Sequence, residues 1–118
     1  QDYIDASRER ALCNGKIREA FDGIDAMLSP TVIRAPHDVD DSISYGPMDD
    51  RRGTSFQRFT VPFDYNGYPT VSIPAGLNRD GLPLSIQVSG HPLSEDLLCR
   101  IARTYEKNIN LTDFHPFD

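Results

Sequence analysis

Cysteine is scarce in this chain: Cys13 and Cys99 are the only two, 86 positions apart. Neither has a second ligand nearby in sequence, and the histidines His37, His91 and His115 are equally scattered, so the short-spaced pairs of a metal site are missing. Both cysteines fall on what the periodicity gives as the apolar side of a helix, where a free thiol packs as a small hydrophobe. Long apolar runs are also lacking. None approaches the roughly 20 residues needed to cross a bilayer, and the first residues show no signal-peptide order of basic, apolar and small residues. The expectation is a soluble, cytoplasmic chain with no membrane partner. Basic stripes are absent too: the net charge is -6 and the sequence pI about 4.9, which argues against direct nucleic-acid binding.

Catalytic machinery is the last thing the sequence lacks. Its only lysines, Lys16 and Lys107, are predicted on exposed helix faces, and no Gly-Ser-rich turn is present to hold a nucleophile beside an oxyanion hole. Ser89, His91 and Asp96 do not make a triad, because Ser89 stands at a strand end without a nucleophile elbow. Arg51 and Arg52, beside Asp49 and Asp50, read as a solvated charge run. No catalytic residue and no cofactor are expected within this chain.

What is present is an ordered series of elements. At 118 residues the chain has the size of one small domain, but its apolar residues sit in a few segments divided by a long polar gap, which predicts an incomplete domain. Ala6, Cys13, Ile17, Ala20 and Phe21 recur near the helical period from about Tyr3 to Phe21, with Gly23 as the stop. The chain opens on Gln1 inside this helical pattern, so its natural start is expected upstream. Ile24 to Leu28 is a short apolar strand, broken by Ser29 and Pro30.

A proline- and aspartate-rich stretch at about 30–53 shows no period and reads as a long surface loop. Thr54 to Asn66 reads as a short helix, with Phe56, Phe59 and Phe63 at helical spacing and Pro62 kinking or ending it. Thr70 to Ile73 alternates as a strand, closed by Pro74, Ala75 and Gly76. Asn78 to Gly81 makes a turn, and Leu82 to Val88 resumes as a strand paired antiparallel to the one before. Ser94 caps a final helix whose first turn carries Glu95 and Asp96 and whose apolar stripe is Leu97, Leu98, Ile101, Ala102 and Tyr105.

At the joints of this series stand Phe59-Thr60-Val61-Pro62, Asn66-Gly67-Tyr68-Pro69, Ser72-Ile73-Pro74-Ala75-Gly76, and the run Gly81 to Gly90, preceded by Asp25-Ala26-Met27-Leu28-Ser29-Pro30-Thr31. In this order and spacing they resemble the C-terminal segment of the amidase signature family, over nearly the whole chain. Each joint also has a physical reason: Gly67 and Pro69 turn helix into strand, Pro74 and Gly76 end the strand, and Pro83 sits near a strand start where its missing N–H does least harm.

The resemblance implies an α/β fold, here part of a mixed-sheet α/β/α amidase-type domain contributed by residues 1–118. It implies hydrolysis of a carboxamide carbon–nitrogen bond by a serine nucleophile, a second serine in a cis peptide and a lysine, all outside this chain. It further implies that Thr31, Thr54, Gln57 and Val61 wall the substrate's acyl pocket, and that the partners are a small-molecule amide and the missing N-terminal part of the amidase. Glutamine-using amidotransferase subunits of the family place an acidic residue at the position of Gln57 to hold the substrate's ammonium. A neutral amide cannot supply that charge, which weighs against a tRNA-dependent amidotransferase role. A noncatalytic remnant that binds ligand without turnover is the remaining alternative.

Overall fold

The alternation of side chains in the last strand decides how the molecule is layered. In a computed structural model, which describes residues 1–36 and 57–109, the elements run α1 (Asp2–Ala20), β1 (Ala26–Pro30), α2 (Val61–Asn66), β2 (Thr70–Leu77), β3 (Pro83–Gly90) and α3 (Glu95–Asn108). The three described strands form one sheet in the order β1-β3-β2, with both pairings antiparallel. Side chains of a strand alternate between faces, so Ile86 and Val88 point one way while Ser85, Gln87 and Ser89 point the other.

The apolar face carries the core. Val88 lies opposite Leu28 and Val71, and Ile86 lies opposite Ile73. Leu98 of α3 packs on Ile73 and Val88, with Val71, Ile101, Ala102 and Tyr105 around them. The helix stripe expected from the sequence is therefore the one that seats α3, although Leu97 is only half-buried. Burial of a side chain such as Leu98, at 2% exposure, contributes about 1.5–3 kcal/mol. On the opposite face sits an aromatic group: Phe21, just after α1, meets Phe63 of α2, Tyr68 and His91 edge-on, at centroid distances of 6.4, 5.2 and 5.3 Å. Helices thus cover both faces of a small sheet, the layering of a partial α/β/α unit.

Several expectations are corrected. The first strand does not stop before Ser29 and Pro30 but includes both. The reason lies in the ladder: the Thr31 N–H donates to the Ser85 carbonyl at 3.2 Å, so by alternation the backbone nitrogen of Pro30 faces away from β3, where no N–H is needed. The same logic carries β2 through Pro74. The Gly90 N–H donates to Pro69 O at 3.0 Å, which turns the nitrogen of residue 74 outward, and the strand runs on to Leu77 across a bulge at Pro74/Gly76. Likewise β3 extends to Gly90.

Pro62 does not kink or end its helix; it stands in the first turn of α2, where a missing N–H costs nothing. The expected helix start at Thr54 lies outside the described residues, as do Phe56 and most of the loop expected at 30–53. Ser94 does not cap α3 through its side chain; its hydroxyl instead donates to the His91 carbonyl at 2.6 Å. Cys99 is exposed rather than packed, while Cys13 is half-buried. Finally, α1 buries none of its residues. Tyr3, Ile4 and Leu12 are 84, 51 and 61% exposed, and the helix is tied down near its C-terminal half and by one cation: Arg10 donates to the Tyr65 carbonyl from Nη2 at 2.6 Å and from Nε at 3.0 Å, stacking 5.4 Å over the Tyr65 ring.

Two glycines fix the chain reversals. Gly67 ends α2 in the left-handed region at φ 74° and returns its N–H to Phe63 O, an αL cap. Gly81 closes the hairpin at φ 78°, where the Asn78 side chain accepts from the N–H groups of Asp80 and Leu82 at 2.9 and 2.8 Å. The turn and the antiparallel pair that follows are as the sequence predicts.

Candidate functional site

The polar face of the sheet builds the site. Ser29 of β1 lies opposite Gln87 of β3, and Gln87 opposite Ser72 of β2, so hydroxyls and an amide line up across three strands. Gln87 is 2% exposed and Ser89 fully buried. Such groups need partners, and Gln87 finds one beyond the sheet: its Nε2 donates to the Phe59 carbonyl at 3.0 Å, with Ser89 Oγ at 3.4 Å. This bond moors the turn at Gln57–Thr60, and hence the start of α2, above the sheet. His91 adds a second mooring. Its Nε2–H donates to the Ile24 carbonyl at 2.9 Å, which sets the tautomer, since a carbonyl only accepts.

Between the sheet, the C-terminal half of α1 and the start of α2 lies a cavity of about 350 Å³. Its floor is Met27 and Ser29, its apolar walls include Phe21, Phe59 and Phe63, and Lys16 and Arg58 stand at its margin. Among the described residues no acidic side chain lines it. Ser29 Oγ and, two residues on, Thr31 Oγ1 are buried and have no hydrogen-bond partner among the described residues. A buried hydroxyl left without a partner costs about 1–3 kcal/mol.

Of the site residues expected from the sequence, Thr31 lies just past β1, half-buried, on the same sheet face as the cavity-lining Ser29. Gln57 and Val61 flank the cavity without lining it: the lining residues are their neighbours Arg58 and Pro62, and Gln57 is exposed with its carbonyl accepting from Thr60 N–H at 3.0 Å and from the Thr60 hydroxyl at 3.2 Å. Thr54 lies outside the described residues. Ser29, Gln87 and Arg58 were missed. The signal for Gln87 was the alternation in Ser85-Ile86-Gln87-Val88-Ser89, which sets a polar face against an apolar one; nothing local marked Ser29 or Arg58.

Among the described residues no cluster of three or more His, Cys, Asp or Glu is arranged to hold a metal, and no helix is long and apolar enough to cross a membrane. Ser89, His91 and Asp96 do not converge: His91 bonds Ile24, Asp96 faces Arg100 at 3.4 Å, and Ser89 is sealed under Gln87.

Comparison with known proteins places this geometry. The amidase family profile matches residues 1–99. A glutamyl-tRNA(Gln) amidotransferase subunit of Myxococcus xanthus is 35% identical over 109 residues, covering 89% of this chain and 21% of that protein. The fatty acid amide hydrolase of Medicago truncatula is 32% identical over 107 residues, covering 90% and 18%. Among solved structures, 6-aminohexanoate cyclic dimer hydrolase superposes with a TM-score of 0.81 at 27% identity, over 98% of this chain and 26% of that one. The corresponding glutamyl-tRNA(Gln) amidotransferase subunit of Thermotoga maritima gives 0.76 at 27% identity, over 90% and 22%. The chain spans about a fifth of the length of the curated relatives it matches.

Proposed function

Since the chain belongs to the amidase family and forms an α/β segment of its fold, we propose that it supplies part of the substrate-pocket wall of an amidase that hydrolyses a carboxamide, while the attacking serine, the cis-peptide serine and the lysine lie outside residues 1–118. The observation that carries this reading is the polar sheet face: an apolar cavity floored by β1 and moored through Gln87 to the segment bearing Gln57 and Val61. Thr31, Gln57 and Val61, with Thr54, border the acyl group in this reading. The chemistry is attack of an activated serine on the amide carbonyl, an acyl-enzyme held by backbone donors, release of ammonia or an amine, and hydrolysis by water.

A second reading is favoured by the relatives named as amidotransferase subunits, whose printed names concern glutamyl-tRNA(Gln). Gln57 weighs against it, because a neutral amide supplies no charge to pair with an ammonium group. The test is ammonia release from simple carboxamides such as benzamide and hexanamide. The purified chain is expected to release none. Release that disappears when one of its own serines is changed to alanine overturns the assignment of catalysis to residues outside the chain. In an enzyme assembled with an amidase catalytic portion, Gln57→Glu is expected to raise preference for glutamine over hexanamide by about tenfold, the worth of roughly 1.4 kcal/mol of added charge pairing; unchanged preference removes Gln57 from the pocket.

A further inference from the structure

The two outer strands of the described sheet are built differently. β2 carries the marks of a strand that ends a sheet: the nitrogen of Pro74 faces outward with no N–H to offer, and a bulge follows at Pro74/Gly76. Its exposed residues before that bulge, Thr70 and Ser72, are polar, while Ile73 lies under α3 at 4% exposure. β1 lacks these devices along most of its length. It pairs with β3 without a bulge from Ala26 to Pro30, and Pro30 is its last residue. Because the Thr31 N–H donates to Ser85 O, alternation turns the Met27 and Ser29 amides toward β3 and those of Ala26 and Leu28 outward. The side chains agree with the backbone. One row across the apolar face runs Val71, Val88, Leu28, and α3 packs on β2 and β3, so Val88 is 4% exposed but Leu28 65%. On its other face β1 is covered, since Met27 and Ser29 floor the cavity beneath α1 and α2.

A strand with one face packed, an apolar side chain bare on the other and an outward row of donors and acceptors is a template for a further strand. The chain spans about a fifth of the length of the curated relatives it matches, and the length of the family domain outside residues 1–118 supplies the occupant. We infer that β1 is the joint through which this segment enters the amidase sheet: a strand from the remaining portion of that domain pairs with the outer edge of β1, and apolar side chains of the same portion cover Leu28. The occupant offers acceptors to the Ala26 and Leu28 N–H groups and donors to the carbonyls of Ala26, Leu28 and Pro30. A charged side chain set over Leu28 is excluded by the cost of burying it unpaired. β2 remains an end of the sheet. The inference rests on the amidase reading for the identity of the occupant, but it concerns assembly and is read by backbone protection rather than turnover.

The experiment follows residue-resolved hydrogen exchange in the purified 118-residue chain and in a chimera that carries it in place of the region of 6-aminohexanoate cyclic dimer hydrolase on which it superposes. In the chain alone the Ala26 and Leu28 amides are expected to exchange fast while β3 protects Met27 and Ser29. In the chimera all four are expected to exchange slowly, with Thr70 and Ser72 on the outer edge of β2 fast in both proteins. Leu28→Lys is expected to leave the urea midpoint of the chain alone unchanged and to abolish soluble chimera, whereas Thr70→Lys is tolerated in both. Fast exchange at Ala26 and Leu28 in a folded chimera overturns the inference, and so does protection gained at β2 instead. If the chimera does not fold, the chain alone still decides. Protection of Ala26 and Leu28 there at every concentration, or a lowered urea midpoint for Leu28→Lys, places the cover within residues 1–118; protection that grows with concentration makes a second copy the occupant; each overturns the inference. Hydrolysis of the cyclic dimer by the chimera reports separately on the amidase reading, so either can fail without the other.

Discussion

Gly90 gives the sharpest test of how α3 is seated. It ends β3 under the first turn of α3, and a Cβ placed there would stand 3.0 Å from Leu98 Cδ2 and 3.3 Å from Leu98 Cγ, and would collide with Ser94 Oγ. Neither neighbour moves freely. Leu98 is 2% exposed in the core with Ile73 and Val88, and the Ser94 hydroxyl is engaged with His91 O. Elsewhere in a strand, replacing glycine by alanine stabilises by about 0.5–1 kcal/mol, through the smaller entropy lost on folding. Here the sign reverses: Gly90→Ala is expected to destabilise by about 1–3 kcal/mol, the cost of forcing an extra methyl into a packed site. Ser94→Ala alone costs about 0.5–1.5 kcal/mol for the lost hydrogen bond, and in its background the Gly90→Ala penalty shrinks, because one of the two obstacles is gone. Urea unfolding of the four proteins in this cycle, with the denaturant slope held common, measures the coupling. If Gly90→Ala is as stable as the wild type, or costs the same with and without the Ser94 hydroxyl, the close approach of α3 to β3 is wrong.

Three further outcomes follow from contacts and conformations that hold the segments together. Gln87→Leu removes the donor to Phe59 O and leaves that carbonyl unmet, for a loss of about 1–3 kcal/mol, together with faster amide exchange at residues 58–63 in hydrogen-exchange mass spectrometry. Arg10→Ala detaches α1 from the end of α2; at an exposed site the two contacts to Tyr65 O and the stacked ring contribute about 0.5–1.5 kcal/mol, so the urea midpoint falls slightly while Arg10→Lys recovers only part of it, lacking the planar fork. Gly67→Ala meets nothing within 4 Å, so its cost is the left-handed backbone alone, about 1 kcal/mol, visible as a small drop in thermal midpoint; a larger loss would mean the position is crowded after all.

The elements legible in the sequence are those with local causes. Asn78 and Gly81 write a turn into four residues, and the stripe from Leu98 to Tyr105 writes an amphipathic helix into three turns. The strand limits were less legible. Pro30 and Pro74 are breakers by composition, and only their outward-facing positions on the two outer strands of the described sheet make them harmless. The periodicity around α1 gave a stripe of Ala6, Cys13, Ile17, Ala20 and Phe21, of which Phe21 is buried, Cys13 and Ile17 are half-buried and all but Ala6 line the cavity, while Tyr3, Ile4 and Leu12 stay exposed. For the site, Thr31, Gln57 and Val61 came from likeness to a family rather than from local signals, and none of the three lines the cavity, whose lining includes Ser29, Arg58 and Pro62.

The sequence by itself determined where the chain turns, which strand faces are polar and apolar, and the family to which the segment belongs, since these rest on side-chain alternation, glycine conformation and ordered motifs. Tertiary structure alone decided that β3 lies between β1 and β2, that Gln87 reaches Phe59 across 28 positions, and that Lys16, Ser29 and Arg58 line one cavity. Those facts depend on which distant segments meet, and the energy of such a meeting is a property of the pair that neither segment carries alone.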